Sequence, residues 1–431
     1  MESTVELSAE QVKVEVDIRE GKSVLATGPA GSGKSTLLNR LRERYGDGLS
    51  VTASTGIAAM NVGGTTLHGF TGIRRGEGTA EEIATKIAPK GRRNIQQCRL
   101  LAIDEISMVS GQLFEKLDKV FRTVRGEVSP QNRRIPFGGV QLLCFGDFLQ
   151  LPPVSTATEP ASFAFESAAW AQAQINTHVF TKVFRQADQP LADAFGCLRV
   201  GDIHNPAVDI IAKRNNVRPP ADGVQPIVIH TRNADVDRLN LIELAKVDAP
   251  EFQLSALDMG RPDDIKRLDN DCLAPKVLCL RESCMVMLLA NLDVDQGLVN
   301  GRMGVVLEVK PDEVIVRFGK RSVVSVSRRT FERQMNGEVT ASRTQFPLRL
   351  AYAITSHKAQ GLTLDRISCH LSQNDVFEPG MAYVAVSRVK TLDGLFLHRS
   401  SRLAFRAHPK AVAFYANAGK ASTGNRHQLA A

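Results

Sequence analysis

The chain has 431 residues, 43% hydrophobic and 23% charged, a composition typical of a soluble globular protein with room for roughly two to four domains. Its formal net charge of +8 leaves two readings open, general solubility or a polyanionic partner such as nucleic acid. No apolar run reaches 18 residues, so no membrane-crossing helix is expected; the seven cysteines have neither C-x-x-C nor zinc spacing, which argues for a reducing compartment and against a metal site built on them. The acidic start, Met1 to Glu6, is unlike a secretory leader.

The first element is a helix over 8–18. Ser8-Ala9-Glu10-Gln11 is a capping-box pattern with Gln11 at N3. The Gln11 amide also offers the paired donor and acceptor that an adenine edge requires, and spacing does not choose between the two roles. Ser23–Thr27 then reads as a buried strand, and Thr36–Leu41 opens a helix with an apolar stripe. Between them, Gly28-Pro29-Ala30-Gly31-Ser32-Gly33-Lys34-Ser35 fits G-x-x-x-x-G-K-[ST] in the strand–loop–helix setting that a phosphate cradle needs. The cradle from Gly28 to Thr36 turns backbone N–H groups towards an anion. Lys34 would reach the β- and γ-phosphates of ATP, and Ser35 would hold Mg²⁺.

Val51–Ala53 is the next strand. The hydroxyls of Thr52, Ser54 and Thr55, continued by Gly63–Phe70 with His68, suit contacts to phosphates and sugars, or else an ordinary helix cap and turn. Residues 71–96, with Arg74, Arg75, Lys86, Lys90, Arg92 and Arg93, read as a small excursion from the sheet. Arg99–Ile103 then runs into Asp104-Glu105, an apolar strand ending in two acids at the edge where doubly wound sheets bind ligands. Asp104 would hold Mg²⁺ and Glu105 would act as general base on the attacking water. Leu113–Arg125 has the apolar spacing of a core-facing helix, and 126–134 is a basic, proline-containing loop. The strand Val140–Phe145 ends in Gly146-Asp147-Phe148-Leu149-Gln150-Leu151-Pro152-Pro153, where Gln150 is a neutral group able to sense the γ-phosphate.

Taken together, these segments resemble a superfamily 1B DNA helicase of the Pif1 type. Gly28–Ser35 resembles its motif I, Thr52–Ala59 motif Ia, Ile103–Met108 motif II and Gly146–Pro153 motif III, and Phe114–Gln141 resembles the Pif1 signature segment, with a longer and more basic loop at 126–134. Downstream, Val183-Phe184-Arg185-Gln186 resembles motif IV, Leu350–Leu364 motif V and Ala382–Lys390 motif VI; His408–Tyr415 resembles the C-terminal helix. The resemblance implies that Arg185 and Arg388 reach the γ-phosphate from a second domain, that Gln360 and Gly361 face the nucleotide, and that Ser356, His357 and Lys358 meet DNA. Phe148 is expected to stack on a base.

The implied fold is α/β, with two RecA-like P-loop domains. The first would take 1–70 and 97–175, with a small wedge insertion at 71–96. The second would take 176–288 and 346–419, with an SH3-like β-barrel insertion at 289–345 that is basic through Lys320, Arg321, Arg328, Arg329 and Arg333; 420–431 would be a frayed tail. The implied activity is ATP-dependent unwinding of DNA in replication, recombination or repair, with movement 5′-to-3′ along a single strand. The partners would be single-stranded and forked DNA, without a membrane and with a monomeric free state, in a nucleoid or a nucleus. A RecD-like translocase with little unwinding and a nucleotide-gated DNA-binding protein are the alternatives.

Overall fold

The structure is a computed structural model, which describes residues 6–427 apart from 74–78, 156–161, 187, 221–224, 231–232, 273, 294–295, 297, 299, 320–321 and 336–337. Arg74, Arg75, Lys320 and Arg321 lie outside the described residues.

The first unit is built on six parallel strands, β1 (Val24–Thr27), β2 (Leu49–Ala53), β3 (Thr65–Thr66), β4 (Leu100–Asp104), β5 (Gln141–Gly146) and β6 (Asn176–Val179), in the order β3-β2-β4-β5-β1-β6. All four residues of β1 are buried, as suits an interior strand covered on both faces. The order places the ends of β4, β5 and β1 side by side, about 4.8 Å apart, so three separate segments deliver their loops to one edge. β6 extends this sheet, although residue 176 was expected to open the second domain; Asn176-Thr177-His178-Val179 is a polar edge strand without the apolar signature of the others.

The helix Ala9–Arg19 is capped as its sequence predicts: Ser8 N–H donates to Gln11 Oε1 at 2.8 Å and Gln11 N–H to Ser8 Oγ at 3.3 Å. The expected wedge contains two helices, Ala80–Lys86 and Pro89–Gln97. Ile83, Ala84, Ile87 and Ile95 join Phe114, Leu117 and Phe121 of the helix Gly111–Gly126 in one apolar cluster, so this segment packs into the first unit's core.

After β6 the chain continues through β7 (Ile227–His230), β8 (Glu251–Ser255), β9 (Leu257–Gly260), β10 (Val277–Arg281), β11 (Met285–Leu288), β12 (Met303–Val309), β13 (Glu313–Phe318), β14 (Ser322–Ser327), β15 (Arg329–Met335), β16 (Glu338–Gln345), β17 (Leu348–Leu350), β18 (Ala353–Thr355), β19 (Ile367–His370) and β20 (Leu395–His398). The second parallel sheet runs β18-β7-β19-β20 and packs against the wholly buried helix Met381–Val386. The antiparallel strands form the sheets β14-β13-β12-β11-β17, β15-β16-β9 and β10-β8. Leu278, Val286, Val306, Val316, Phe318 and Leu348 share one core. This β-rich unit therefore begins well before 289 and takes in β17 beyond 345. β11 is buried on both faces and so lacks the alternation that marks the later strands.

The chain then returns to the first unit. The helix Pro409–His427 runs through most of the segment expected to fray; residues 428–431 lie outside the description. Ala411 is buried in the first unit's cluster, and Phe414 stacks on Phe165 with ring centroids 4.5 Å apart. Lys410 pairs with Glu166.

Candidate active site

Gly31 and Gly33 give the cradle its shape. Both sit at positive φ, 80° and 83°. A Cβ on Gly31 would overlap that of Arg185, and one on Gly33 would lie 2.6 Å from Gln11 Nε2. Only glycine satisfies both the left-handed turn and the close approach. Lys34 Nζ donates to the carbonyls of Gly28 at 2.7 Å and Pro29 at 2.9 Å, and to Ser32 Oγ at 3.3 Å. Burial pulls the Lys34 ammonium down to about 8, opposed by Asp147, Glu105 and Asp104 and assisted by Arg199. Ser35 and Thr36 are exposed at the start of the helix.

Asp104 ends β4, and Glu105 turns away from it with φ 51°. Burial, then the Glu105 charge, push the Asp104 carboxyl up to about 7. Gln360 Nε2 reaches across from the second unit and donates to Glu105 Oε2 at 2.9 Å. Its other amide atom, Oε1, is buried without a hydrogen-bond partner, as are Ser54 Oγ and Ser107 Oγ. Ser54 N–H donates to the Asp104 carbonyl at 3.2 Å, and Ser107 follows Glu105 by two residues in the chain. A strained pair of carboxyls with spare hydroxyl oxygens nearby is a hard-oxygen environment, and it fits Mg²⁺ held by one or two protein groups, water and phosphates.

Across the cleft stand two arginines, both anchored on Ser387. Arg185 Nη1 donates to its carbonyl at 3.0 Å, and Arg388 Nη2 to its Oγ at 2.8 Å. Arg388 is 1% exposed, and burial lowers its proton affinity. Burial and Arg388 hold Arg185 down to about 9. With Lys34, Ser35, Glu105, Gln150, Gly361 and Lys390 they line a cleft of about 580 Å³. Gln11 also lines it, although Gln11 Nε2 donates to Gly33 O at 3.0 Å, so its amide is partly committed to shaping the cradle. Phe184 escaped the reading of the sequence. It is 51% exposed, lies against Gly33 and lines the cleft, with Lys182 Nζ 5.0 Å from its ring centroid; its one signal was adjacency to Arg185.

The back of the cleft is closed differently. Asp147, fully buried, accepts two bonds from Arg199 on the helix Gln189–Val200, Nε to Oδ2 and Nη2 to Oδ1, both 2.8 Å. That guanidinium holds the carboxyl below its usual range despite burial. Ala30 N–H donates to Tyr383 OH at 3.1 Å, a further tie from cradle to second unit.

Three residues expected to face DNA, Phe148, Thr52 and Ser356, are buried. Phe148 is fully buried, edge-on to Phe165 at 4.8 Å and to Phe414 at 5.4 Å, in a cluster that also holds Phe163 and Trp170. Thr52 is fully buried and donates to the Ala102 carbonyl at 2.6 Å. Thr55 caps the turn at Ala58 N–H, 3.2 Å away, and His68 lies in the short helix Leu67–Thr71. Ser356 is 2% exposed, whereas His357 and Lys358 are half-buried, and burial lowers the proton affinity of both.

A family model described as PIF1-like helicase matches residues 6–194, and one described as the 2B domain of DNA helicase Pif1 matches residues 265–309. The ATP-dependent DNA helicase Pif1 of Bdellovibrio bacteriovorus is 33% identical over 416 residues, which cover 95% of this chain and 92% of that protein. This chain belongs to the PIF1-like helicase family. The Xenopus laevis ATP-dependent DNA helicase PIF1 is 37% identical over 427 residues; the match covers 96% of this chain but 65% of the length of that relative. In structure, the chain is similar to a Bacteroides Pif1 in complex with ADP-AlF4, with TM-score 0.83 at 30% identity over 96% of this chain and 98% of that one. A Bacteroides Pif1 bound to single-stranded DNA gives 0.68 at 30% identity, over 97% and 98%. The arrangement of this chain is thus nearer the first.

Proposed function

We propose that this chain is an ATP-dependent DNA helicase, a DNA-stimulated ATPase that moves along single-stranded DNA and opens forks. The observation that carries the proposal is the composite cleft. One unit brings Lys34, Ser35 and Glu105; the other brings Gly361 and Arg388, with Gln360 bonded to Glu105, and Arg185 stands at the junction with its Cβ against Gly31. A P-loop kinase needs no such second wall.

Lys34 would exchange its two carbonyl partners for phosphate oxygens, and the amides from Gly31 to Thr36 would complete the cradle. Gln11 and the ring of Phe184 would bracket a purine base. Ser35 and Asp104 would hold Mg²⁺, which supplies charge neutralisation on the phosphates when bound. Glu105, oriented by Gln360, would take the proton of the attacking water. Arg185 and Arg388 would neutralise the charge that develops on the transferred group, and Gln150 would sense its departure.

On the strand side, Thr55 and His68 would form one grip, and His357 and Lys358 the other. Gln360 lies two residues from Lys358, so a shift of Gln360 on hydrolysis moves the second grip relative to the first. Relatives whose names carry ATP-dependent helicase activity, and one solved with single-stranded DNA, support this reading. The 5′-to-3′ direction comes from the family resemblance.

Lys34→Ala should lower DNA-stimulated phosphate release by at least about a thousandfold while leaving DNA affinity within about threefold. Full turnover in that variant overturns the site. Displacement of forked duplexes with 5′ or 3′ tails reads the direction, and hydrolysis without displacement would favour a translocase.

A further inference from the structure

Thr27, Asp147, Arg199 and Tyr415 meet behind the cradle from four distant segments of the chain. A phenol hydroxyl has one hydrogen to give and two lone pairs with which to receive. Tyr415 uses all three. It donates to Asp147 Oδ1 at 3.1 Å and accepts Phe148 N–H at 3.1 Å. With its own hydrogen committed, it must accept that of Thr27 Oγ1, 2.5 Å away. The Arg199 guanidinium, already paired with Asp147, lies 4.9 Å from the centre of the Tyr415 ring.

Stability alone does not call for such a knot, because well-packed apolar side chains fill a buried site as well or better. A fully satisfied polar network instead fixes position. The positions fixed here are functional. Thr27 is the residue before Gly28, and Phe148 stands two residues before Gln150. One hydroxyl on the C-terminal helix therefore sets the cradle strand against the Gln150 loop, and Asp147 extends the tie to the second unit through Arg199.

We propose that Tyr415 is a positioning residue for nucleotide hydrolysis, holding the P-loop strand and the Gln150 loop in register with the arginine-bearing unit. This rests on the hydrolysis assigned above. Tyr415→Phe keeps the ring and removes only the hydroxyl. The expected result is a fall of about ten- to a hundredfold in kcat for DNA-stimulated phosphate release, the scale of a small misplacement of reacting groups. KM for ATP and Kd for ADP should stay within about twofold, because the ground-state contacts are untouched. Thr27→Val removes one of the three bonds that Tyr415→Phe removes and should lower kcat in the same direction by no more. Thr27→Ser, which keeps a hydroxyl, should retain most of kcat, and the Tyr415→Phe/Thr27→Val double variant should fall no further than Tyr415→Phe alone.

Unchanged kcat in Tyr415→Phe overturns the proposal. So does a parallel loss of kcat and ADP affinity that Thr27→Ser fails to relieve, since that marks general loosening. Should Tyr415→Phe not fold, the Thr27→Val and Thr27→Ser pair decides alone. A parent chain that shows no turnover overturns the functional reading as well, which separates the two failures.

Discussion

Arg199 and Arg388 both reach from the second unit towards the first, and their surroundings are opposite. Arg199 lies on a buried carboxylate, which raises its proton affinity well above the usual value. Arg388 is more deeply buried, but its hydrogen bonds go to the Val384 carbonyl and Ser387 Oγ within its own unit, and burial lowers its proton affinity. Arg185, beside it, is held down to about 9. The back of the joint is electrically complete, whereas the front carries two cations in need of an anion. Under the proposed function, such a joint would hinge on its paired edge while the other edge closed on a triphosphate.

The comparison breaks most sharply at Arg388. Arg388→Ala should lower phosphate release by about 10³–10⁵ while ATP still binds, as for other arginines that meet a developing charge. The same change should leave the unfolding free energy of the nucleotide-free chain within about 1 kcal/mol, because it removes a like charge from Arg185. Unchanged turnover would remove Arg388 from the catalytic set. Arg199→Ala should do the reverse to the fold. It strands Asp147 as a buried, unpaired charge and should cost about 3–5 kcal/mol in urea titration. A cost under about 1 kcal/mol would show that the back of the joint is not closed as described.

The smallest effect concerns pH. In the roles proposed for them, Asp104 would hold Mg²⁺ ionised, above about pH 7, and Lys34 would hold phosphate protonated, below about pH 8. Affinity of the free enzyme should therefore rise through the first value and fall through the second, by up to about tenfold per pH unit on either side. A flat profile from pH 6 to 9 in a nucleotide-binding titration would contradict both assignments.

The front of the joint was legible in the sequence, and the back was not. Gly28–Ser35 and Asp104-Glu105 sit in short ordered patterns whose chemistry can be read locally, whereas Arg185 and Arg388 were placed by the family resemblance alone. Asp147 was inside such a pattern, but its partners lie 52 and 268 residues away at Arg199 and Tyr415, and no local spacing announces them. Phe148 failed for the same reason. An aromatic at a strand end reads as a stacking platform until Phe163, Phe165, Trp170 and Phe414 converge on it. Thr52 was misread because a strand's last residues face either the edge or the interior, and only its bond to Ala102 settles which.

The bond between Thr27 and Tyr415 spans 388 residues, and so it also sets an order of events on the ribosome. At about 5–20 residues per second, the cradle strand waits roughly 20–80 s for the tyrosine that completes it. Until then the first unit is a nascent body with an unfinished seam. Phe148 and Phe165 lack the cover of Phe414, and a buried acid has lost one of its donors. The first unit should therefore depend on chaperones until synthesis passes residue 415, and chains that stop before Pro409 should collect as aggregates rather than as half-motors.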